Sequence, residues 1–121
     1  MMKNNKSILI VDDDKMLFKT VREILEEEGH VVSCCDNGLD AVELSKEHDF
    51  DMILTDYNLP GMKGDALCRA IRSYRPDAYI IGFSIESKNR DFMKAGANKF
   101  IYKDELLQNL SLFHGLAETT P

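Results

Sequence analysis

The sequence predicts an α/β fold in which one parallel sheet is covered by helices on both faces. Two observations carry this prediction: apolar runs of strand length occur five times, and segments with helical apolar spacing lie between and after them. Nearly continuous apolar strands that alternate with helices are typical of parallel sheets with right-handed crossovers. Because five such units of about 24 residues use up the 121 residues, a single domain is expected.

The five predicted strands are apolar runs bounded by polar or turn residues. They cover residues 7–11, 30–35, 52–55, 79–83 and 99–102. Gly29 suits a left-handed helix stop before the second run, and the Asn37-Gly38 and Pro60-Gly61 pairs predict turns. These turn signals fall between the predicted elements and support their bounds.

The predicted helices are identified by apolar residues three and four positions apart. The first predicted helix contains Leu17, Val21 and Leu25, the second contains Leu39 and Val42, and the third contains Leu67 and Ile71. A short fourth helix contains Phe92 and Met93, and the last contains Leu106, Leu110 and Phe113. Asp104 is well placed to cap the last helix at its N-terminus. Helix and strand therefore alternate through the whole sequence.

The composition excludes several classes of function. A net charge of −6 without a local basic patch argues against nucleic-acid binding. The longest apolar run, Ile8 to Val11, is far shorter than the roughly 20 residues of a membrane-spanning helix. The first six residues lack the apolar centre of a signal peptide, and three cysteines without a paired motif fit a reducing compartment, so a cytoplasmic location is expected.

Acidic residues follow two of the predicted strands. Asp12, Asp13 and Asp14 come after the first strand, and Asp56 comes after the third. The carboxyl ends of parallel strands lie side by side, and two carboxylates about 4 Å apart at an effective dielectric constant of about 20 repel by about 4 kcal/mol. A divalent cation would relieve this repulsion. A sparse set of oxygen ligands favours Mg²⁺ over Ca²⁺.

A hydroxyl and a cation are predicted at the same edge of the sheet. Ser84 follows the fourth strand, and Lys103 follows the fifth. Together with Mg²⁺, these groups suit a phosphoryl group, whose oxygens need positive charge and hydrogen-bond donors. Asp56 is then the candidate nucleophile.

The motifs around these residues resemble the receiver domain of bacterial two-component response regulators. Residues 8–14 read Ile-Leu-Ile-Val-Asp-Asp-Asp, and residues 54–64 read Leu-Thr-Asp-Tyr-Asn-Leu-Pro-Gly-Met-Lys-Gly, with Ser84 and Lys103 in the matching later positions. The resemblance implies a flavodoxin-like (βα)5 three-layer sandwich with strand order 2-1-3-4-5. It assigns residues 7–117 to the receiver domain, 1–6 to an N-terminal extension and 118–121 to a tail or the start of a linker.

The resemblance also implies a role for each site residue. Asp56 corresponds to the acceptor of a phosphoryl group from a histidine kinase or histidine phosphotransfer protein, in a signalling domain that assists its own phosphorylation and dephosphorylation. The implied Mg²⁺ ligands are Asp12, Asp13, Asp56 and the backbone carbonyl of Asn58. Lys103 and Ser84 correspond to the phosphate contacts, and Ser84 and Phe100 to the switch residues.

Two residues depart from the family pattern. Asp104 stands where a proline usually follows the lysine, which bears on the direction of Lys103. Ile85 stands where a small residue commonly follows the switch hydroxyl, and its branched side chain is expected to narrow access for water or small phosphodonors.

The last predicted helix carries more apolar residues than one core face requires. Wide core packing is the more common reason for such a surplus. Receiver domains also use the face of helix 4, strand 5 and helix 5 for dimers or targets. A homodimer strengthened by phosphorylation through Phe113 and Leu116 is therefore a hypothesis.

Two other functions stay open on the sequence. An aspartate-nucleophile phosphatase of the haloacid dehalogenase type would use Asp12 and Asp14, but this chain lacks the Thr or Val that usually follows. A receiver-like module that binds its partner without phosphorylation would keep the fold but not the switch. An isolated acidic run is also more often a solvated turn or helix cap than a metal site.

Overall fold

The computed structural model describes residues 5–106 and 108 as alternating strands and helices. The elements are β1 (Ser7–Val11), α1 (Lys15–Glu27), β2 (Val31–Cys35), α2 (Gly38–Glu47), β3 (Met52–Asp56), α3 (Gly64–Tyr74), β4 (Ile80–Ser84), α4 (Asn89–Lys94), β5 (Lys99–Tyr102) and the 3-10 turn η1 (Lys103–Glu105). Every predicted strand is present, with bounds within one residue of the prediction.

The five strands form one parallel sheet in the order β2-β1-β3-β4-β5. This is the flavodoxin-like order that the resemblance implied. Alternate residues of β1 point to opposite faces, so Leu9 packs with α2 and α3 on one side while Ile8 packs with α1 on the other. The two apolar clusters make the sheet the middle layer between helices.

Local sequence explains where the first two helices begin and how α1 ends. The Asp14 carboxylate accepts a hydrogen bond from Leu17 N, and the Asn37 side chain accepts one from Asp40 N, so both helices have side-chain N-caps. Gly29 follows α1 with a φ of 95°, a conformation that glycine adopts without steric cost. Gly29 confirms the predicted helix stop, whereas the Asn37-Gly38 pair marks the start of α2 instead of the predicted turn.

The last described element is the 3-10 turn η1, which follows β5. η1 starts directly at the end of β5, one residue before Asp104. Asp104 lies inside η1, whose N-terminal flanking residue is Tyr102. The helix that Asp104 is predicted to cap lies outside the described residues, so its capping role stays a prediction. The remainder of the predicted last helix, including Phe113 and Leu116, lies outside the described residues.

Candidate functional site

The carboxyl ends of four strands bring the candidate residues to one edge of the sheet. Val11 pairs with Thr55, Asp56 pairs with Phe83, and Ser84 pairs with Tyr102 across neighbouring strands. The side chains that end these strands or come directly after them therefore lie in one row. That row contains Asp12, Asp56, Ser84 and Lys103, as the sequence predicts.

Three carboxylates converge at this edge. One oxygen from each of Asp12, Asp13 and Asp56 lies within 4.8 Å of the other two. Asp12 has no exposed surface and Asp56 is also buried, whereas Asp13 is open to solvent. The fourth acid, Asp14, is used differently, since its carboxylate caps α1 and its backbone N–H donates to Asp12 Oδ1 at 2.9 Å.

Lys103 lies against the two buried carboxylates. Its Nζ donates to Asp56 Oδ2 at 3.4 Å and lies 3.2 Å from Asp12 Oδ2. The described peptide bonds are all trans, so the lysine reaches both acids from a trans bond to Asp104. Burial lowers the pKa of Lys103, but the attraction of Asp12 and Asp56 outweighs it, and the pKa is raised overall. The ammonium group is therefore held charged.

Asp12 is under electrostatic strain despite this lysine. Burial raises its pKa to about 6, and repulsion from Asp56 adds to the rise, although the Asp14 N–H and Lys103 oppose it. Lys103 lies at ion-pair distance from Oδ2 of Asp12, but this buried oxygen accepts no hydrogen bond from the described residues. Three carboxylates facing one ammonium group leave an excess of negative charge.

This donor set fits a hard divalent cation. All three side chains offer carboxylate oxygens, which are the ligands that Mg²⁺ prefers, and Asp13 leaves one side open to water. The buried Asp12 oxygen without a hydrogen bond is the atom that gains most from a cation. The residues present thus fit the metal that the acidic pattern predicts.

Ser84 is buried at the end of β4 next to this cluster. Its Oγ accepts a hydrogen bond from Glu86 N at 3.1 Å, which leaves the hydroxyl hydrogen to be donated elsewhere. Ile85, directly after it, has 78% of its surface exposed. Its expected effect on small phosphodonors stays a prediction.

Comparison with known families matches the sequence model of the response regulator receiver domain to residues 8–112. The chain belongs to this family. It is 36% identical over 101 residues to the chemotaxis protein CheY of Halobacterium salinarum, in a match that covers 81% of this chain and 84% of that protein. The receiver domain described here is thus part of the signalling family of two-component systems.

Two solved structures extend the comparison. A CheY-like response regulator receiver domain protein from Methanospirillum hungatei has a TM-score of 0.83 and 27% identity, with 97% of this chain and 99% of that chain covered. The receiver domain of the sensor histidine kinase PA1611 from Pseudomonas aeruginosa has a TM-score of 0.78 and 25% identity, with 92% and 98% covered. The second structure has a magnesium ion coordinated in its active-site cleft.

Two further residues with predicted roles lie near the receiver site. Asn58 is exposed two residues after Asp56, and its side-chain oxygen accepts a hydrogen bond from Lys63 at 3.3 Å. Phe100 is half-buried on β5, with its ring 6.0 Å from that of Phe92 and 5.1 Å from that of Tyr102. The predicted roles of the Asn58 carbonyl and of Phe100 stay predictions.

The sequence reasoning missed the part that Phe92 plays beside the site. Its ring lies so close to Gly64 and Gly82 that a Cβ at either position would collide with it, and it also contacts the ring of Tyr57. Tyr57 directly follows Asp56, so Phe92 links α4 to the loop after the candidate acceptor. A glycine inside β4 was the available signal, since strand glycines often mark a close approach.

No helix within residues 5–106 and 108 is long and apolar enough to cross a membrane.

Proposed function

We propose that this receiver domain accepts a phosphoryl group on Asp56 from a histidine kinase or a histidine phosphotransfer protein, in a reaction that depends on Mg²⁺. The observation that carries the proposal is the position of Lys103 Nζ, which lies between the buried carboxylates of Asp12 and Asp56. An ammonium group beside a carboxylate nucleophile can neutralise the negative charge on the oxygens of an incoming phosphoryl group.

The acceptor chemistry needs one nucleophilic oxygen and one leaving group. A carboxylate oxygen of Asp56 attacks phosphorus, the bond from phosphorus to the donor imidazole nitrogen breaks, and its electron pair returns to the imidazole. Lys103 stays protonated through this step because Asp12 and Asp56 raise its pKa. Ser84 donates its free hydroxyl hydrogen to a phosphoryl oxygen.

We assign the metal site to Asp12, Asp13, Asp56 and the backbone carbonyl of Asn58. The bound Mg²⁺ would supply positive charge that lowers the repulsion between these carboxylates and the phosphoryl oxygens. Asp12 contributes a buried oxygen that lacks a hydrogen bond, and Asp13 contributes a solvent-exposed one. Asp14 orients Asp12 through its backbone N–H.

The output of the phosphorylated state is a changed partner surface. When Ser84 turns toward the phosphoryl group, its bond from Glu86 N must lengthen or break, and the loop from β4 to α4 moves with it. Phe100 lies on β5, the strand beside β4. We expect its side chain to turn inward when Ser84 moves. The partner surface of helix 4, strand 5 and helix 5 would change as a result, including dimer contacts through Phe113 and Leu116.

The phosphatase alternative has less support than the switch. It needs Asp14 as a second catalytic acid, but the Asp14 carboxylate accepts a hydrogen bond from Leu17 N as the cap of α1. No contact of Asp14 argues against the phosphorylation-independent module. An experiment that measures phosphoryl uptake distinguishes it from the switch.

Intact-mass spectrometry after incubation with acetyl phosphate tests the proposal. We expect one added phosphoryl group in the wild-type chain with Mg²⁺, and none with a metal chelator or in Asp56→Asn. Asp51→Asn is the matched control, because Asp51 is an exposed acid bonded to Ser7 at the other end of the sheet. If the wild-type chain takes up nothing, a phosphorylated histidine phosphotransfer protein replaces acetyl phosphate, and failure with both donors favours the phosphorylation-independent module.

A further inference from the structure

An open groove of about 520 Å³ lies at the carboxyl end of β2, where Cys35 O accepts a hydrogen bond from the backbone N–H of Asp12. Phe18 of α1 and Leu44 of α2 give it an apolar lining, and the thiols of β2 lie between them. Four acids complete the lining: Asp36, Asp40, Glu43 and Glu47. No lysine or arginine lines it within the described part of the chain. We refer to it as the β2 groove.

The negative charge of the β2 groove is largely uncompensated. Glu43 has a lysine partner, since Lys46 Nζ lies 3.5 Å from its carboxylate. Asp36 and Asp40 accept hydrogen bonds from the neutral amide of Asn37. For the residues that the structure describes, no lysine or arginine lies within ion-pair distance of Asp36, Asp40 or Glu47. The groove therefore favours a cationic occupant.

The β2 groove reaches an open edge of the sheet at Cys34 and Cys35. Within residues 5–106 and 108, β2 is an outer strand of the sheet and pairs only with β1. Val31 N donates to Lys6 O, and Cys35 O accepts from Asp12 N, so these groups face β1. Because bonding groups alternate along a strand, the N–H and C=O groups of Val32 and Cys34 point to the open edge. Such an edge can pair with another strand.

The two sides of this edge differ in chemistry. Cys34 packs with the cluster that contains Phe18 on the α1 side, whereas Cys35 packs with the cluster on the α2 side. The acids of the groove belong to α2 and to the turn before it. Arg22 of α1 also interacts with the Cys34 thiol and is paired with Glu26. An added strand would thus meet Phe18 and this ion pair on one face and a mainly acidic surface on the other.

We propose that the β2 groove binds an extended cationic segment of a partner protein, which adds to β2 as a sixth strand. Alternate side chains of that segment point to opposite faces, so lysine or arginine would face α2 while small apolar residues face Phe18. A second copy of this chain is a poorer occupant, because β2 pairing with β2 would bring two acidic grooves together. The proposal does not depend on phosphorylation.

The test uses the whole chain and a synthetic peptide of about eight residues in which lysine alternates with valine. Titration is followed by NMR in chelator, without a phosphodonor. We expect shifts along β2 and α2. Amide exchange should slow at Val32 and Cys34, whose N–H groups would become bonded to the peptide, and change less at Ser33, whose N–H already faces β1. A matched peptide with glutamate in place of lysine should not bind.

Two double variants test the charge argument at equal change in net charge. Glu43→Gln with Glu47→Gln removes two acids of the groove and should weaken peptide binding about fivefold. Glu23→Gln with Glu27→Gln removes two exposed acids with the same spacing on α1, outside the groove, and should change binding less than about twofold. Glutamine is a good helix former, and circular dichroism checks that both variants fold.

Four results would overturn the proposal. The first is no binding of the lysine peptide, and the second is binding without slower exchange at Val32 and Cys34. The third is an equal loss of affinity in both double variants, which would indicate only long-range attraction to an acidic protein. The fourth is that Ca²⁺, added in place of chelator, blocks the peptide equally in the wild-type chain and in a variant with Asp13→Asn and Asp56→Asn, which would make the groove itself a cation site.

Discussion

Removing the charge of Asp12 should stabilise the folded chain at neutral and alkaline pH, although it damages the candidate site. Burial raises the pKa of this carboxyl group to about 6, with further repulsion from Asp56, so the folded state resists its ionisation. Asp12→Asn keeps an oxygen that can accept the hydrogen bond from Asp14 N and removes the buried negative charge. The unfolded chain carries no such cost.

The size and sign of this effect follow from the pKa. A rise from 3.8 to about 6 corresponds to about 3 kcal/mol of lost stability once Asp12 is ionised in both states. Because the folded pKa is raised, the cost is absent below pH 3.8, grows between 3.8 and 6, and is complete above 6. The gain in Asp12→Asn should follow the same window, with about 3 kcal/mol as its upper bound because Lys103 loses an anionic partner.

Urea unfolding in chelator, at about pH 8 and about pH 4, measures this gain directly. We expect Asp12→Asn to be clearly more stable than the wild-type chain at the higher pH and nearly equal to it at the lower. Asp13→Asn is the matched control, because Asp13 is exposed and should change stability by less than about 0.5 kcal/mol. A destabilised Asp12→Asn at the higher pH, or an equal gain at both pH values, would refute the reasoning.

Three further variants probe the surroundings of the site. Lys103→Gln should lower the rate of phosphoryl uptake from acetyl phosphate at least about tenfold, as seen by intact mass, because no ammonium remains beside Asp56; an unchanged rate would remove the role proposed for it. Gly82→Ala should lower the free energy of unfolding in urea by about 1–3 kcal/mol, since the new Cβ collides with the ring of Phe92, and equal stability would show that the ring can move aside. Ile85→Ala should speed uptake from acetyl phosphate in the same mass assay if the isoleucine narrows access; equal rates would end that steric explanation.

The strands and the place of the site could be predicted because each depends on short segments. Apolar runs gave the strand bounds to within one residue, and the rule that parallel strands end at one edge placed Asp12, Asp56, Ser84 and Lys103 together. Apolar periodicity does not show which strands pair with each other, so the order of the strands could not be derived from it. The order came from the family resemblance.

The finer contacts of the site depend on tertiary structure and were not predictable. The sequence does not reveal that the backbone N–H of Asp14 holds Asp12, or that Lys103 reaches two carboxylates at once. It also does not reveal that the ring of Phe92 lies against Gly64 and Gly82. These contacts join residues that are far apart in the chain or depend on exact backbone direction.

Locating the phosphoryl group is the most direct test of the central claim. Borohydride reduces an aspartyl phosphate to homoserine, and peptide sequencing by mass spectrometry then identifies the modified position. After incubation with a phosphodonor and Mg²⁺, homoserine is expected at position 56 and is expected to disappear when the metal is chelated. Homoserine at Asp12 or Asp13 instead, or at no position with either a small donor or a phosphorylated histidine donor, would contradict the account.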